Sequence, residues 1–510
     1  MAEYPYPQFK HGAYGEVVAD GVKLANNGKT KQAFVYFGTA PVGQVEGGAE
    51  NVGKPIVCSS MSEFKRYLGY SEEWDKYTLC EAAYVHLEQK GVGPVIFVNL
   101  LNPATHKIST AVSVSLTPVN GRITIANAAD IIVDTLVLKT GTGQDEQTLV
   151  KGTDYTVEFD YVKMAVIIKE KTDGALGQSA VAITYNKMDA AAVTNNDIIG
   201  STDNYGLNTG LYTIYNVYNL TGYVPAYLGA PGWSSIPQIH TVLMELSTAI
   251  TKHWNAWVFV DMPLTSGGSP ITLQTAPTWK NNNGYNRDNE SVFFPMAKGT
   301  DGRKYHLSVL FAANFHELLI QNRGIPYMTA SNTACGIIED LYFGEGASVA
   351  GRVYNDEIIN RTLNCNGINS AAFVSGKWAL WGMFAGSYDQ ENATSINVFD
   401  TCRMMMYYVT NDFQHRRNID VDKPMPINTL RSIAAEEQAR LDALVGIGAL
   451  TYGQVAIDTT PEALSDIYGG DFRILFNVTN TPLAKSLTGV AVWTKDGFEV
   501  YFREIEEMNA

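Results

Sequence analysis

Cysteine is scarce: there are five in 510 residues, an odd number, and none forms a CxxC pair. That excludes a zinc ribbon and argues against a disulfide framework, so Cys58, Cys80, Cys335, Cys365 and Cys402 read as reduced, mostly core thiols. Charge is also scarce. Charged residues make up 17% against 45% apolar, which excludes disorder by composition. Positive charge is outnumbered, with 37 Lys and Arg to 52 Asp and Glu, a net charge of -15. Such an acidic chain is poorly matched to phosphate backbones, so no nucleic acid partner is expected. No run approaches the roughly 20 apolar residues of a membrane span, so direct membrane insertion is not expected either. Met1-Ala2-Glu3-Tyr4-Pro5 offers neither the basic nor the apolar region of a signal peptide, and the chain is read as folding in a cytoplasm.

Catalytic motifs are missing too. There is no Walker phosphate loop, HExxH or GxSxG. Gly446-Ile447-Gly448 and Gly141-Thr142-Gly143 begin like a dinucleotide fingerprint, but Thr451 and Glu146 stand where its third glycine belongs. His240 and His253 are not at metal-ligand spacing, and no second histidine near His316-Glu317 completes a pair. Asp261 ends an apolar strand, where α/β enzymes place acids. With no partner nearby in sequence it reads as a cap for the turn at Met262-Pro263. The expectation is therefore no catalytic residue, no metal, no cofactor and no enzyme.

The length allows about three domains at roughly 150 residues each. Residues 1–30 read as an arm, because Tyr4-Pro5-Tyr6-Pro7 cannot be helical and Phe9–Val18 is extended without an evident partner. Phe34–Phe37 and Val95–Val98 are apolar throughout, with helical segments between them. They predict parallel neighbours in a covered sheet. Residues 104–192 instead hold short alternating strands punctuated by glycine, the pattern of an antiparallel sandwich inserted into the α/β part. The α/β pattern, which carries a capping box at Ser60-x-x-Glu63 before the insert, resumes after it with a second at Ser235-x-x-Gln238. Near the end, 396–412 and 428–445 read as helices. Val490–Thr494 and Phe498–Phe502, flanking Lys495-Asp496-Gly497, read as a hairpin. The fold class is α/β (α+β), multi-domain. Its parts are an arm at 1–30, a discontinuous middle domain at 31–103 and 193–370, a β-rich insert at 104–192 and a C-terminal domain at 371–510. Extended ends suited to strand addition point to a protein that assembles.

These stretches resemble the contractile tail sheath proteins of bacteriophages and other contractile injection systems. Phe9-x-x-Gly12-Ala13-Tyr14-x-Glu16 is similar to the family's arm, and Tyr77–Ala82 through Gly93–Asn99 to its first helix–strand unit. Tyr223-Val224-Pro225, Ala230–Trp233 and Ala256–Pro263 resemble its strand, Pro-Gly turn, helix and strand ending in Asp. Leu363-Asn364-x-x-Gly367-Ile368-Asn369 followed by Trp381-Gly382 resembles another family stretch, and 441–450 with 472–478 its closing domain. Met383-Phe384 stands where the family often has Arg-Thr.

The resemblance implies a structural subunit that stacks as hexameric rings around a tail tube and contracts to drive the tube through a cell envelope. Energy would be stored in subunit contacts. It implies as partners other copies of the chain, the tube protein, and baseplate and terminator proteins. The place would be a virion tail or phage-tail-like particle, assembled in the bacterial host cytoplasm. Strand exchange would run through Phe9, Gly12, Tyr14, Glu16 and Val17 at one end and Val490, Val492, Phe498, Val500 and Phe502 at the other. Arg416, Arg417 and Arg431 are candidate contacts to an acidic tube, and the insert would lie on the outside. The alternative is a surface-displayed binding protein or hydrolase carrying an Ig-like module.

Overall fold

The computed structural model describes residues 31–141, 145–347, 351–391, 396 and 398–509. The arm residues Phe9, Gly12, Tyr14, Glu16 and Val17 lie outside the described residues. The chain divides into two units, one ending at Asn480 and the other beginning at Thr481.

In the first unit, β1 (Gln32–Gly38) is buried at every residue after Gln32. A strand apolar on both faces is stable only inside a covered sheet. Then come β2 (Pro55–Cys58) and α1 (Met61–Leu68), where the Ser60 side chain accepts the Glu63 N–H and Phe64 and Leu68 turn inward. The chain continues through α2 (Thr78–Ala83) and a π turn at Tyr84–Gln89 to β3 (Val95–Asn99). β3 runs parallel to β1 with Phe34 opposite Val95.

Seven strands follow without an α-helix between them: β4 (Val112–Leu116), β5 (Arg122–Ile125), β6 (Val137–Thr140), β7 (Gln147–Thr148), β8 (Tyr155–Asp160), β9 (Ala165–Glu170) and β10 (Val181–Tyr185). They make two antiparallel sheets, in the orders β4-β10-β6-β7 and β5-β9-β8. Alternation decides the faces. Ile123, Ile125, Leu138, Ile168, Val181 and Ile183 share a core of their own, while Ser113, Ser115 and Thr184 face water. A few polar contacts tie this stack to the rest of the unit. Gln44 Nε2 donates to the Ala129 carbonyl at 2.7 Å, the Tyr77 hydroxyl to Asp130 at 2.8 Å, and the Tyr161 hydroxyl to the Lys65 carbonyl at 2.8 Å.

Beyond the stack come α3 (Ile214–Thr221), β11 (Val224–Gly229), α4 (Pro237–Leu246), β12 (Trp257–Asp261), β13 (Glu290–Phe293), α5 (Leu307–Gln321), β14 (Ile368–Val374) and β15 (Lys377–Trp381). With the first three strands they build an eight-stranded sheet, ordered β2-β3-β1-β11-β12-β13-β14-β15. The six inner strands are parallel and an antiparallel strand closes each edge. The capping box expected at Ser235 and Gln238 does not form. Pro237 takes the first helical position, and the Ser235 hydroxyl donates to the Gly232 carbonyl instead. α5 is buried along most of its length, and its Phe311 and Phe315 pack on Phe259.

The unit ends with α6 (Asp400–Arg417), α7 (Ile427–Gly446), β16 (Leu450–Ile457) and β17 (Ile474–Asn480). Met405, Val409, Leu441, Leu444 and Leu450 form their small core. α7 lies so close to β16 that a Cβ at Gly453 would come within 2.8 Å of the Leu441 Cβ. Asn411 ties α6 to the strand-bearing part, donating to the Asn255 carbonyl at 2.8 Å and accepting its N–H at 3.0 Å.

In the second unit, 481–495 has no regular secondary structure and α8 (Asp496–Met508) follows. The expected hairpin of Val490–Thr494 with Phe498–Phe502 is therefore corrected. Phe498, Tyr501, Phe502 and Ile505 recur at helical spacing, and Asp496 and Glu499 sit in the first turn, where the helix dipole favours acids. Those signals outweigh the Asp-Gly turn.

Candidate assembly surfaces

In an open parallel sheet, ligands bind beyond the strand carboxyl ends where the strand order reverses. Here that place is between β1 and β11, and α2 fills it. The Thr39 N–H donates to Thr78 Oγ1 at 3.3 Å, the Thr78 N–H to Thr39 Oγ1 at 3.1 Å, and the Thr39 hydroxyl to the Lys76 carbonyl at 2.7 Å. Two glycines let the helix in. A Cβ at Gly38 would collide with Thr78 Oγ1, and one at Gly232 would come within 2.9 Å of Thr78 Cγ2.

Asp261 is not a turn cap. It is 3% exposed and accepts both the N–H and the hydroxyl of Ser308, while the buried Glu81 accepts the His306 N–H and Nδ1, each at 2.6 Å. The two carboxylates thus hold the first turn of α5, whose N–H groups would otherwise be orphaned. Burial raises the Asp261 carboxyl. Burial also opposes charge on His306, yet the Glu81 carboxylate, helped by Asp261, holds it up at about 9. His316 does have a second histidine, far away in sequence: its Nδ1 lies 3.2 Å from the Nδ1 of His86, whose Nε2 meets the Tyr36 hydroxyl at 2.9 Å. Burial pushes both rings down, His316 to about 4, so both are neutral.

One further group has the residue types of a catalytic site. His240 Nε2 meets Glu290 at 2.6 Å under the Tyr285 ring, and Lys280 Nζ donates to the Gly386 carbonyl at 2.5 Å. These three side chains are at most 2% exposed, and their bonds hold the strand-to-loop corner at Arg287–Glu290 and Gly386. Among the described residues no three His, Cys, Asp or Glu side chains converge as a metal-holding group, and no helix is long and apolar enough to cross a membrane.

The arginines nominated as tube contacts separate. Arg416 and Arg417 are not free surface charges. Both Nη atoms of Arg416 reach Glu437 at 3.0 Å, and Arg417 Nε reaches it at 2.6 Å while its Nη2 meets Glu436 at 2.8 Å. Asp412 is shared by Arg416 and Arg440 at 3.8 and 3.4 Å. This network welds α6 to α7, and burial pushes the Glu437 carboxyl upward against both guanidinium groups. The reason is α7 itself, which brings a fully buried acid beside a pair that reads as a surface cluster in sequence. Arg431 remains exposed on α7.

β16 and β17 pair with each other alone, so among the described residues each keeps an open edge. Asn477 Oδ1 and Asn480 Nδ2 on β17 are buried without a hydrogen-bond partner there. A two-stranded sheet is marginal alone, and open edges are templates for another strand. In the second unit, Val490, Val492 and Trp493 are 78%, 76% and 79% exposed, whereas Phe498, Val500 and Phe502 lie on α8 rather than on a strand.

No family model matches the chain. It is 25% identical over 407 residues to the tail sheath protein of Burkholderia phage BcepMu, covering 78% of this chain and 81% of that protein. A chain of the anti-feeding prophage baseplate, six-fold symmetrised, superposes with a TM-score of 0.52 at 12% identity, covering 97% of this chain and all of the other. A chain of the sheath complex of the extracellular contractile injection system PVC, in its contracted state, gives 0.51 at 12% identity over 98% and 99% of the two chains. At that identity the two superpositions establish a shared fold.

Proposed function

This chain is related to contractile tail sheath proteins, and we propose that it is the structural subunit of such a sheath. Copies stack as hexameric rings around a tail tube in a virion or phage-tail-like particle, assembled in the host cytoplasm. Contraction, released at the baseplate and bounded by a terminator at the other end, drives the tube through the target envelope. Energy resides in subunit contacts rather than in a nucleotide, and the subunit is not an enzyme. The arm at 1–30 and the segment after Asn480 link copies. The body at 31–103 and 193–370, the outer insert at 104–192 and the C-terminal domain from 371 move as the bodies being linked. Arg431 on α7 is the remaining nominee for a tube contact.

The observation that carries this reading is the two-stranded sheet β16–β17, whose edges no other described strand pairs, in a chain that also has an exposed, irregular apolar segment at 481–495. Strands supplied by neighbours would complete that sheet with main-chain hydrogen bonds, while the linkers let the bodies slide. Deleting residues 1–20 is the test. The truncated chain should keep its circular dichroism spectrum and sediment as a monomer. Long regular assemblies from the truncated chain would remove the arm from the link.

A further inference from the structure

α8 presents Phe498, Tyr501, Phe502 and Ile505 on one face, at the i, i+3, i+4 and i+7 positions of a groove-binding helix. These side chains are 40% to 58% exposed, so no described residue of the chain buries them. A helix this short is marginal in water by itself and needs packing to persist. The charge around the apolar face is one-sided: Asp496, Glu499, Glu504, Glu506 and Glu507 against Arg503.

The first unit carries a groove of matching character. Between the end of α5 and the α6–α7 pair lies a cavity of about 440 Å³, lined by Arg323, Ile325, Tyr327, Tyr408, Leu444 and Ile447 among others. That size is within the range of sites that take several apolar side chains. Arg323 and Ile447 at its rim are exposed, and the ionisable groups of its lining are Arg323, Arg440 and Asp412 beside two tyrosines, an excess of positive charge.

We propose that α8 of one copy docks into this groove on a second copy, its aromatic face against Ile325, Tyr327, Leu444 and Ile447 and its acidic flank toward Arg323. The proposal rests on the sheath-subunit reading and adds a helical contact to the strand link. The fifteen residues Thr481–Lys495 span up to about 50 Å when extended, enough to reach a neighbour. Every copy carries one such helix and one such groove, so head-to-tail docking satisfies both along a polymer and leaves them unsatisfied only at its ends.

The test mixes two full-length chains, one carrying Ile447→Cys and the other Phe502→Cys. Both positions are exposed, so neither substitution touches the core. After mild oxidation, peptide mass spectrometry should find the 447–502 disulfide, which in the mixture forms only between copies. Adding Phe498→Ala and Ile505→Ala should lower its yield at least about tenfold, the effect of losing about 1.4 kcal/mol when interface anchors are truncated. Adding Arg323→Glu should lower it as well. Regular tubes without the disulfide would overturn the docking and leave the sheath reading standing. A 447–502 link seen only within a single chain bearing both cysteines would assign the groove to the chain's own helix and overturn the proposal. A mixture that gives neither tubes nor the link would sink both.

Discussion

Glu437 on α7 is wholly buried, and Arg416 on α6 meets it with both Nη atoms at 3.0 Å. Paired charges at this depth are far costlier to break than to keep. Arg416→Ala should destabilise the chain by about 3–5 kcal/mol, because it leaves the Glu437 carboxylate and Asp412 short of a cation. Arg431→Ala, on an exposed position, should stay within about 0.5 kcal/mol. Urea denaturation of the purified variants separates the two. The same comparison shows why charge reversal at Arg416 and Arg417 would report on folding rather than on a tube contact.

His306 sets an alkaline limit. Its folded pKa of about 9 lies above the usual 6.5, so the protonated ring favours the folded chain. That contribution is complete below about pH 6.5 and is lost as pH rises through about 9. At 1.36 kcal/mol per pH unit it is worth on the order of 3 kcal/mol. Urea midpoints should therefore fall between pH 7 and pH 9.5, and Glu81→Gln, which removes the stabilising carboxylate, should flatten that fall. An unchanged slope in the variant would show that the pair is not what senses pH.

Gly38 and Thr78 share one space at the switch point of the sheet. Gly38→Ala should cost about 1–3 kcal/mol through overpacking. Thr78→Ala should remove the collision and lose only the bond its hydroxyl accepts from the Thr39 N–H, so the double variant should be less destabilised than the sum of the singles. Denaturation across the double-mutant cycle would read a coupling of about 0.5–3 kcal/mol. Simple additivity would show that α2 does not fill the crevice tightly.

What the sequence made legible depends on how far each signal reaches along the chain. Phe34–Phe37 and Val95–Val98 are apolar on both faces, and a local run of that kind has one comfortable place, the inside of a covered parallel sheet. Alternation at 112–185 is equally local. Phe498–Phe502 is ambiguous in sequence, because apolar residues at 498, 500 and 502 fit a strand while 498, 501, 502 and 505 fit a helix, and Asp496-Gly497 favours a turn only locally. The charges of Arg416 and Arg417 were visible. Their partner Glu437 lies on the next helix, and only the packing of α6 on α7 brings it near. His86 and His316 are farther apart still and meet through the sheet. Pairings of that kind leave no mark at fixed spacing. A carboxylate at helical register with a buried face, as Glu437 is with Ile433, Leu441 and Leu444, is the one signal that points to such a partner.

The β stack between β3 and α3 is held to its unit by polar contacts such as Gln44 to Ala129, Tyr77 to Asp130, Gly47 to Asp134 and Lys151 to Glu46. Most of its buried residues form a core of their own, and Ile132 and Met188 are the buried apolar residues it adds to the core of the eight-stranded sheet among the described residues. Replacing residues 104–192 with a short Gly/Ser linker should leave a chain that is soluble, cooperative in thermal unfolding and able to assemble. Aggregation after the cut would show that the segment is needed to fold the body.

The central claim, that this chain is a self-assembling sheath subunit, is met most directly by electron microscopy of the purified full-length chain across protein concentration and salt. Stacked rings or long tubes with six-fold symmetry about a central channel are expected. A monodisperse monomer under every condition, with no ring at any concentration, would contradict it.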